Sequence, residues 1–322
     1  MAAETSSKTV VYAALAGNVL VAITKAGAAA WTGSSAMLSE AIHSFVDTVN
    51  EVLLLYGLRR AALPPDDDHP LGHGRELYFW SFVVALLIFA LGAGVSIYQG
   101  IVHVLRPAPI EDPLVNYVVL GLAFLFEGGS WLISLRQFVA AKGDLGFYEA
   151  LRRSKDPPSF MVLFEDSAAL IGIALAAAGT YAATSLGAPI YDGVASIAIG
   201  LVLAATSMLL ARESKSLLIG ERANRALSDS ILRIAGEEKS VVRANGVITT
   251  QLAPDQIIAA LSLEFDDDLR ATDIESAVAD IERRVRAAHP EVVSLFIKPQ
   301  SAGGYRRNVR ERLERGAEPP SD

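Results

Sequence analysis

The 322-residue chain contains no cysteine. That absence removes disulfides, thiolate zinc sites, thiol nucleophiles and iron–sulfur ligation together, so any metal chemistry must use His, Asp and Glu. Histidine itself is scarce, at five residues. Charge is sparse too: 20% of residues are Asp, Glu, Lys or Arg, 28 basic against 36 acidic, for a net charge of −8. Without a basic excess the chain has no electrostatic footprint for nucleic acid, and no nucleic-acid partner is expected. What fills the chain is apolar. Hydrophobic residues make up 52% and mean hydropathy is +0.35, too apolar for an ordinary soluble domain or for disorder. A polytopic membrane protein is the first expectation.

A helix crosses the hydrocarbon core in about 20 mostly apolar residues. Six such windows run from Thr9 to Trp31, Ala36 to Leu58, Tyr78 to Leu105, Leu114 to Leu135, Phe160 to Leu186 and Ile190 to Leu210. The first has neither the basic leading segment nor the small-residue cleavage motif of a signal peptide, and is read as a retained span. The connections after spans two and four carry Arg59, Arg60 and Arg75, then Arg136, Lys142, Arg152, Arg153 and Lys155; those after one, three and five hold only Arg106. This asymmetry predicts that both termini are cytoplasmic.

Residues 1–211 therefore read as a six-helix transmembrane domain. Residues 212–300 have the composition of a soluble domain: a helix from Leu227 to Lys239, strands from Val241 to Leu252 and Ala259 to Phe265, a helix from Thr272 to His289, and a strand from Val292 to Ile297. Thr272, with Glu275 three residues on, is the expected cap of the second helix. The order αββαβ suits a small α+β, ferredoxin-like domain with two helices on one face of the sheet. Residues 301–322 read as a disordered tail, and no internal repeat is visible.

Ionisable side chains inside a span cost about 2.5 to 3.5 kcal/mol each on the milder scales, so they mark a pathway, a relay or an ion site. The second window holds Glu40, His43, Asp47, Asn50 and Glu51, and the fifth opens with Glu165 and Asp166. His43 and Asp47, four apart, share one helical face and form a two-ligand clip for a transition metal. Glu40 continues that stripe, and Glu165 or Asp166 can add a carboxylate to make a Zn²⁺ or Mn²⁺ set. Two other readings stand beside it: a proton relay without metal, and interhelical hydrogen bonding. Lys25 in the first span reads as a partner for a carboxylate such as Glu127, or as a sensor of cargo charge, and Asn18 as an interhelical hydrogen bonder. Between spans two and three, Asp66-Asp67-Asp68-His69-Pro70-Leu71-Gly72-His73 is either a divalent-cation loop or a solvated acidic turn.

These residues together resemble the cation diffusion facilitator family. Asn18 and Lys25, Ser39-Glu40-Ala41-Ile42-His43-Ser44 with Asp47, and His69-Pro70-Leu71-Gly72-His73-Gly74-Arg75 carry the resemblance, which extends over about residues 8 to 300. It implies export of zinc or related divalent ions from the cytoplasm in exchange for protons, by a homodimer in a bilayer, with no prosthetic group. A cell (inner) membrane is the expected location. The family's transport site joins a four-spaced couple from span two, here His43 and Asp47, to one from span five. Counting back from Tyr191-Asp192-Gly193 puts Glu165 at the first of those positions and Ala169 where Asp is usual. This departure resembles a branch related to mitochondrial zinc transporters, in which Glu-Asp opens the span. Adjacent helical residues point about 100° apart, so Glu165 is the favoured ligand and Asp166 a helper or proton carrier. Additional carboxylates soften selectivity towards Mn²⁺ or Fe²⁺. The family's loop zinc site falls on Asp66, His69 and His73. The soluble domain offers only His289, with Leu263, Glu264, Glu275 and Glu282 where ligands would be expected, so its dimerisation is expected to rest on packing.

The rival expectations are a manganese or iron exporter of the same family, a proton-coupled carrier of another solute with His43 and Asp47 as relay, and a scaffold or metal sensor that does not transport. An intramembrane metal hydrolase is disfavoured, because neither a nucleophile nor a His-Glu-x-x-His pattern accompanies the cluster.

Overall fold

The computed structural model describes residues 18–317, apart from 144, 148 and 151–153. It divides into two compact units, Met1–Ser216 and Leu217–Asp322.

The first unit is helical. Helix α1 covers 18–32, α2 Ser35–Ala61, α3 Glu76–Leu105, α4 Pro113–Lys142, α5 Pro157–Ser185 and α6 Ile190–Ile219. By length and composition, α3, α4, α5 and α6 are long and apolar enough to cross a membrane. Helix α2 has 27 residues, about 40 Å of rise, and the ionisable residues on it lower its hydropathy. Residues 9–17 of the first expected span lie outside the described residues. A buried core built from Met37, Val84, Ile88, Phe160, Met161, Ile199 and Leu203 holds the bundle together. Leu20, Ile23, Leu125, Phe126, Tyr181, Leu201 and Met208 point outwards and exposed. Apolar exposure on that scale is unlike a soluble monomer and suits lipid as the solvent.

Lipid tails give helices no hydrophobic reason to associate, so close packing must. Helices α3 and α6 cross backbone against backbone. A Cβ on Gly100 would stand 2.6 Å from Ile197 Cγ1 and 2.7 Å from the Gly193 carbonyl oxygen, so only glycine fits there. Ser196 Oγ donates to the Ser96 carbonyl at 2.8 Å and stands 2.6 Å from Ser39 Oγ, which draws α2 into the same contact. Within α3 the segment Ile88–Ala93 widens into a π-helix.

The second unit contains α7 Arg225–Gly236, β1 Val241–Ala253, β2 Gln256–Phe265, α8 Ala271–Ala288, β3 Val292–Pro299 and α9 Ala302–Ala317. Strands β1 and β2 pair antiparallel through a turn of two residues, Pro254 and Asp255, and β3 pairs parallel with β2. Parallel strands need a crossover, which α8 supplies. Ile257, Ala259, Leu261, Leu263 and Phe265 alternate along β2 and bury one sheet face against Ile231 and Ile234 of α7 and Ile281 and Val285 of α8.

Three details differ from the sequence reading. Helix α6 runs on to Ile219, and the units divide after Ser216, later than residue 211. Helix α8 begins at Ala271 instead of being capped by Thr272: the Asp273 carboxylate accepts the Arg270 backbone N–H at 3.1 Å, two residues earlier than the expected box. The segment after Ser301, expected to be disordered, is helical over Ala302–Ala317. Its Arg and Glu are good helix formers, and Tyr305 fills the space beside Gly246 that a Cβ would occupy. Residues 318–322 of that tail lie outside the described residues.

Candidate metal centre

The polar residues of α2 occupy one stripe. Ser35, Ser39, His43 and Asp47 follow one another at intervals of four, which a helix of 3.6 residues per turn places on nearly one face. His43 is 1% exposed and Glu40 fully buried. His43 Nδ1 stands 3.3 Å from Asp47 Oδ1. Among the described residues, neither ring nitrogen of His43 has a hydrogen-bond partner, and Asp47 Oδ1 has none. Unmade hydrogen bonds in a dry interior are costly. Two ligand atoms of a tetrahedral Zn²⁺, each about 2.1 Å from the ion, stand about 3.4 Å apart. The separation between His43 and Asp47 is close to that value.

Helix α5 brings its two carboxylates to different neighbours. Glu165 Oε1 accepts from Asn50 Nδ2 of α2 at 3.4 Å, whereas Asp166 Oδ2 accepts from Ser130 Oγ of α4 at 2.8 Å. Asp47, Glu51, Glu127, Glu165 and Asp166 line one cavity of about 60 Å³ with Asn18, Ser44 and Ser130. Since a water needs about 10–15 Å³ by this measure, the cavity has room for a partly hydrated ion. His43 is not among the lining residues.

Lys25 of α1 is buried next to this cavity. Its Nζ donates to Glu40 Oε2 at 3.1 Å, Ser44 Oγ at 2.8 Å and Glu127 Oε1 at 3.2 Å. The pairing with Glu127 anticipated from the sequence is therefore made. Glu40, placed on the ligand stripe by spacing, turns instead to the ammonium group. Gly172 of α5 makes room for it, because a Cβ there would overlap Glu40 Oε1.

The loop between α2 and α3 is built differently. Asp66 Oδ1 accepts the His69 backbone N–H at 2.6 Å and faces His69 Nδ1 at 3.1 Å, while its Oδ2 faces His73 Nε2 at 3.1 Å. The imidazole rings are 4.3 Å apart. The His69 N–H and the two imidazoles hold the Asp66 carboxyl below the usual aspartate range. Gly72, at φ +79°, lets the chain reverse so that both rings meet one carboxylate. Among the described residues, Asp66, His69 and His73 are the one group of three or more His, Asp or Glu whose ligand atoms all lie within 4.8 Å of one another. His43, Asp47 and Glu165 are not drawn together that tightly.

The cation efflux transmembrane domain family matches residues 11–219. The chain belongs to the cation diffusion facilitator family. It is 34% identical over 239 residues to the mitochondrial proton-coupled zinc antiporter SLC30A9 of Xenopus laevis, a match covering 73% of this chain and 43% of that protein. It is 36% identical over 202 residues to metal tolerance protein C4 of Arabidopsis thaliana, covering 62% of this chain and 43% of that one. With the cation-efflux pump FieF of Shewanella oneidensis it shares 24% identity over 258 residues, 80% of this chain and 82% of that protein. The chain thus spans less than half the length of the first two relatives. As a cation diffusion facilitator with apolar helices of membrane-crossing length, it is a multi-pass membrane protein of a transporter family.

Sequence reasoning used Asp192 only as a landmark and missed what it holds. Fully buried at the start of α6, it accepts the Ser34 hydroxyl at 2.6 Å and the backbone N–H groups of Ser35 and Ala36 at 2.5 and 3.3 Å. It thereby satisfies donors that every helix N-terminus leaves open. An aspartate at the mouth of an apolar span was the available signal.

Proposed function

We propose that the chain is a secondary transporter that exports divalent transition-metal cations, zinc foremost, from the cytoplasm in exchange for protons. It would work as a homodimer with six spans, a ferredoxin-like cytoplasmic domain and both termini on the cytoplasmic side of a cell (inner) membrane. His43, Asp47 and Glu165 are the ligands of the transported ion, with Asp166 as helper. The carrying observation is the pair of ring nitrogens on His43, buried and unpartnered 3.3 Å from an unpartnered Asp47 oxygen. Hydrogen-bonding glue would have left those atoms satisfied.

The chemistry follows from competition. Imidazole and carboxylate bind a metal only when deprotonated, so protons arriving from the far side release the ion. Asp47, Glu51 and Glu165 lie on the cytoplasmic side of His43 in this topology, so the cavity they line is the entry for a cytoplasmic ion. At the opposite end, Asp192 ties α6 to the first turn of α2. That arrangement fits a carrier closed to the outside.

The names of the relatives, a zinc antiporter and a cation-efflux pump, support this reading. The oxygen-rich set also suits manganese or iron. The test is uptake of Zn²⁺, Mn²⁺, Fe²⁺ and Cd²⁺ into proteoliposomes under a pH gradient, with Asp47→Ala beside the native protein. Zinc uptake that needs the gradient and vanishes in Asp47→Ala is expected. Unchanged uptake in that variant overturns the ligand assignment, and a gradient-driven flux of other solutes without metal binding makes the pair a relay only.

A further inference from the structure

Glu127, on α4, lines the cavity that also holds Asp47, Glu165 and Asp166, but it is not among the ligands assigned above. Its side chain is 15% exposed, and its Oε1 accepts from the buried Lys25 ammonium at 3.2 Å. Ser44, which also accepts from Lys25, lines the same cavity. The ammonium group therefore abuts the cavity wall at two points. Its third acceptor, Glu40, is fully buried and is not among the lining residues.

The ligand set on α2 and α5 is one short. Zinc is most often held by four ligands; His43, Asp47 and Glu165 make three, and Ala169, where a second fifth-span carboxylate is usual in the family, offers none. Asp166 Oδ2 is tied to Ser130 Oγ of α4 at 2.8 Å. Glu127 stands three residues before Ser130, so the two share a face of α4, and both line the cavity.

We propose that Glu127 is the fourth ligand of the transported divalent cation, and that Lys25 is a tethered cation that occupies Glu127 when the ion is absent. The inference rests on the reading of His43, Asp47 and Glu165 as transport ligands. In the structure Glu127 is held by the ammonium group, and the ligand atoms of Asp47, Glu127 and Glu165 do not all lie within 4.8 Å of one another. An arriving divalent ion carries twice the charge of the ammonium group and takes Glu127 from it. Lys25 then keeps Glu40 and Ser44, so neither charge of the Lys25–Glu40 pair is left buried without a partner. When the ion leaves, the ammonium group returns to Glu127. This competition lowers the affinity of the site, as release of the cargo requires. Lys25 acts through Glu127 and does not touch the ion, which makes it a positioning residue.

Zinc titration of the purified full-length protein tests both halves, with His69→Ala and His73→Ala present throughout to remove the loop trio. Glu127→Gln keeps an acceptor for Lys25 and should weaken binding by at least about 10-fold. Lys25→Met combined with Glu40→Gln removes the ammonium group and its buried counter-charge together, and should tighten binding several-fold. A Lys25 that only braced the bundle would give weaker or unchanged binding in that variant. Unchanged binding in Glu127→Gln, or no tightening without the ammonium group, overturns the proposal. So does a larger loss in Asp166→Asn than in Glu127→Gln, which makes Asp166 the fourth ligand. If the Lys25 variant does not fold, the comparison of Glu127→Gln with Asp166→Asn decides. His43→Ala in the same background reports on the reading beneath: if binding survives it, that reading fails. If His43→Ala abolishes binding while Glu127→Gln leaves it intact, this inference alone fails.

Discussion

Two clusters of side chains able to ligate a metal are constructed in opposite ways in this molecule. In the loop, Asp66, His69 and His73 lie within eight residues of one another, and their ligand atoms have converged beside solvent. In the bundle, His43, Asp47 and Glu165 come from two helices; His43 and Glu165 are buried and Asp47 half-buried, and Glu165 has not converged on the His43–Asp47 couple. A converged trio is a place where an ion can stay. The ring nitrogens of His43 and Asp47 Oδ1, unpartnered among the described residues, are high in free energy when empty, so they favour whichever of ion or proton arrives, and a modest movement of α2 against α5 would change what they and Glu165 can hold together. For a transporter the second arrangement is the useful one, since an ion bound too well does not leave.

The sharpest way to break this comparison is to remove one ligand from each cluster. Asp47→Ala should reduce zinc flux in proteoliposomes by at least about 100-fold, since metal sites lose about that much even from outer-shell changes. His73→Ala should instead cost one equivalent of equilibrium-bound zinc, with flux changed only a few-fold. Similar flux losses in the two variants would mean that the loop is part of the pathway.

Next in size is the ammonium group that supports the buried cluster. Lys25→Met leaves Glu40 and Glu127 facing each other without a cation. Breaking a buried pair in this way costs about 3–5 kcal/mol, so the melting temperature in detergent should fall markedly, and Glu40→Gln in the same chain should recover part of the loss. Gly172→Ala, which drives a methyl group into Glu40, should cost about 1–3 kcal/mol by overpacking, read by the same melt. Indifference to both would show that the network is not structural.

The smallest effect concerns acid. Asp66 titrates below its ordinary value in the folded loop, so its contacts favour the folded loop above the unfolded value of about 3.9. That contribution is lost as pH falls through the lower, folded value. The chemical shift of the Asp66 carboxyl carbon should therefore titrate below the normal range, and should return towards it when His69 and His73 are both alanine.

Legibility from sequence followed distance along the chain. The loop trio was readable because its members are neighbours, and the His43–Asp47 couple because one turn of helix fixes their relation. The αββαβ order followed from alternation and helical periodicity. Glu40 was misjudged because spacing reports a face, not a partner, and its partner Lys25 sits on another helix. Asp192 was passed over because its meaning depends on a helix end 157 residues earlier. The C-terminal helix escaped because a run of Arg and Glu looks solvated until Tyr305 is seen against the sheet.

That long reach has a consequence for how the protein is made. Helix α2 leaves the ribosome well before α6, yet the acceptor for its first two N–H groups arrives only with α6. Chains are synthesised from the N-terminus, so α2 waits with an unfinished end until α6 has been made. Until Asp192 is made, the Ser34 hydroxyl and the N–H groups of Ser35 and Ala36 lack the carboxylate that they meet in the finished bundle.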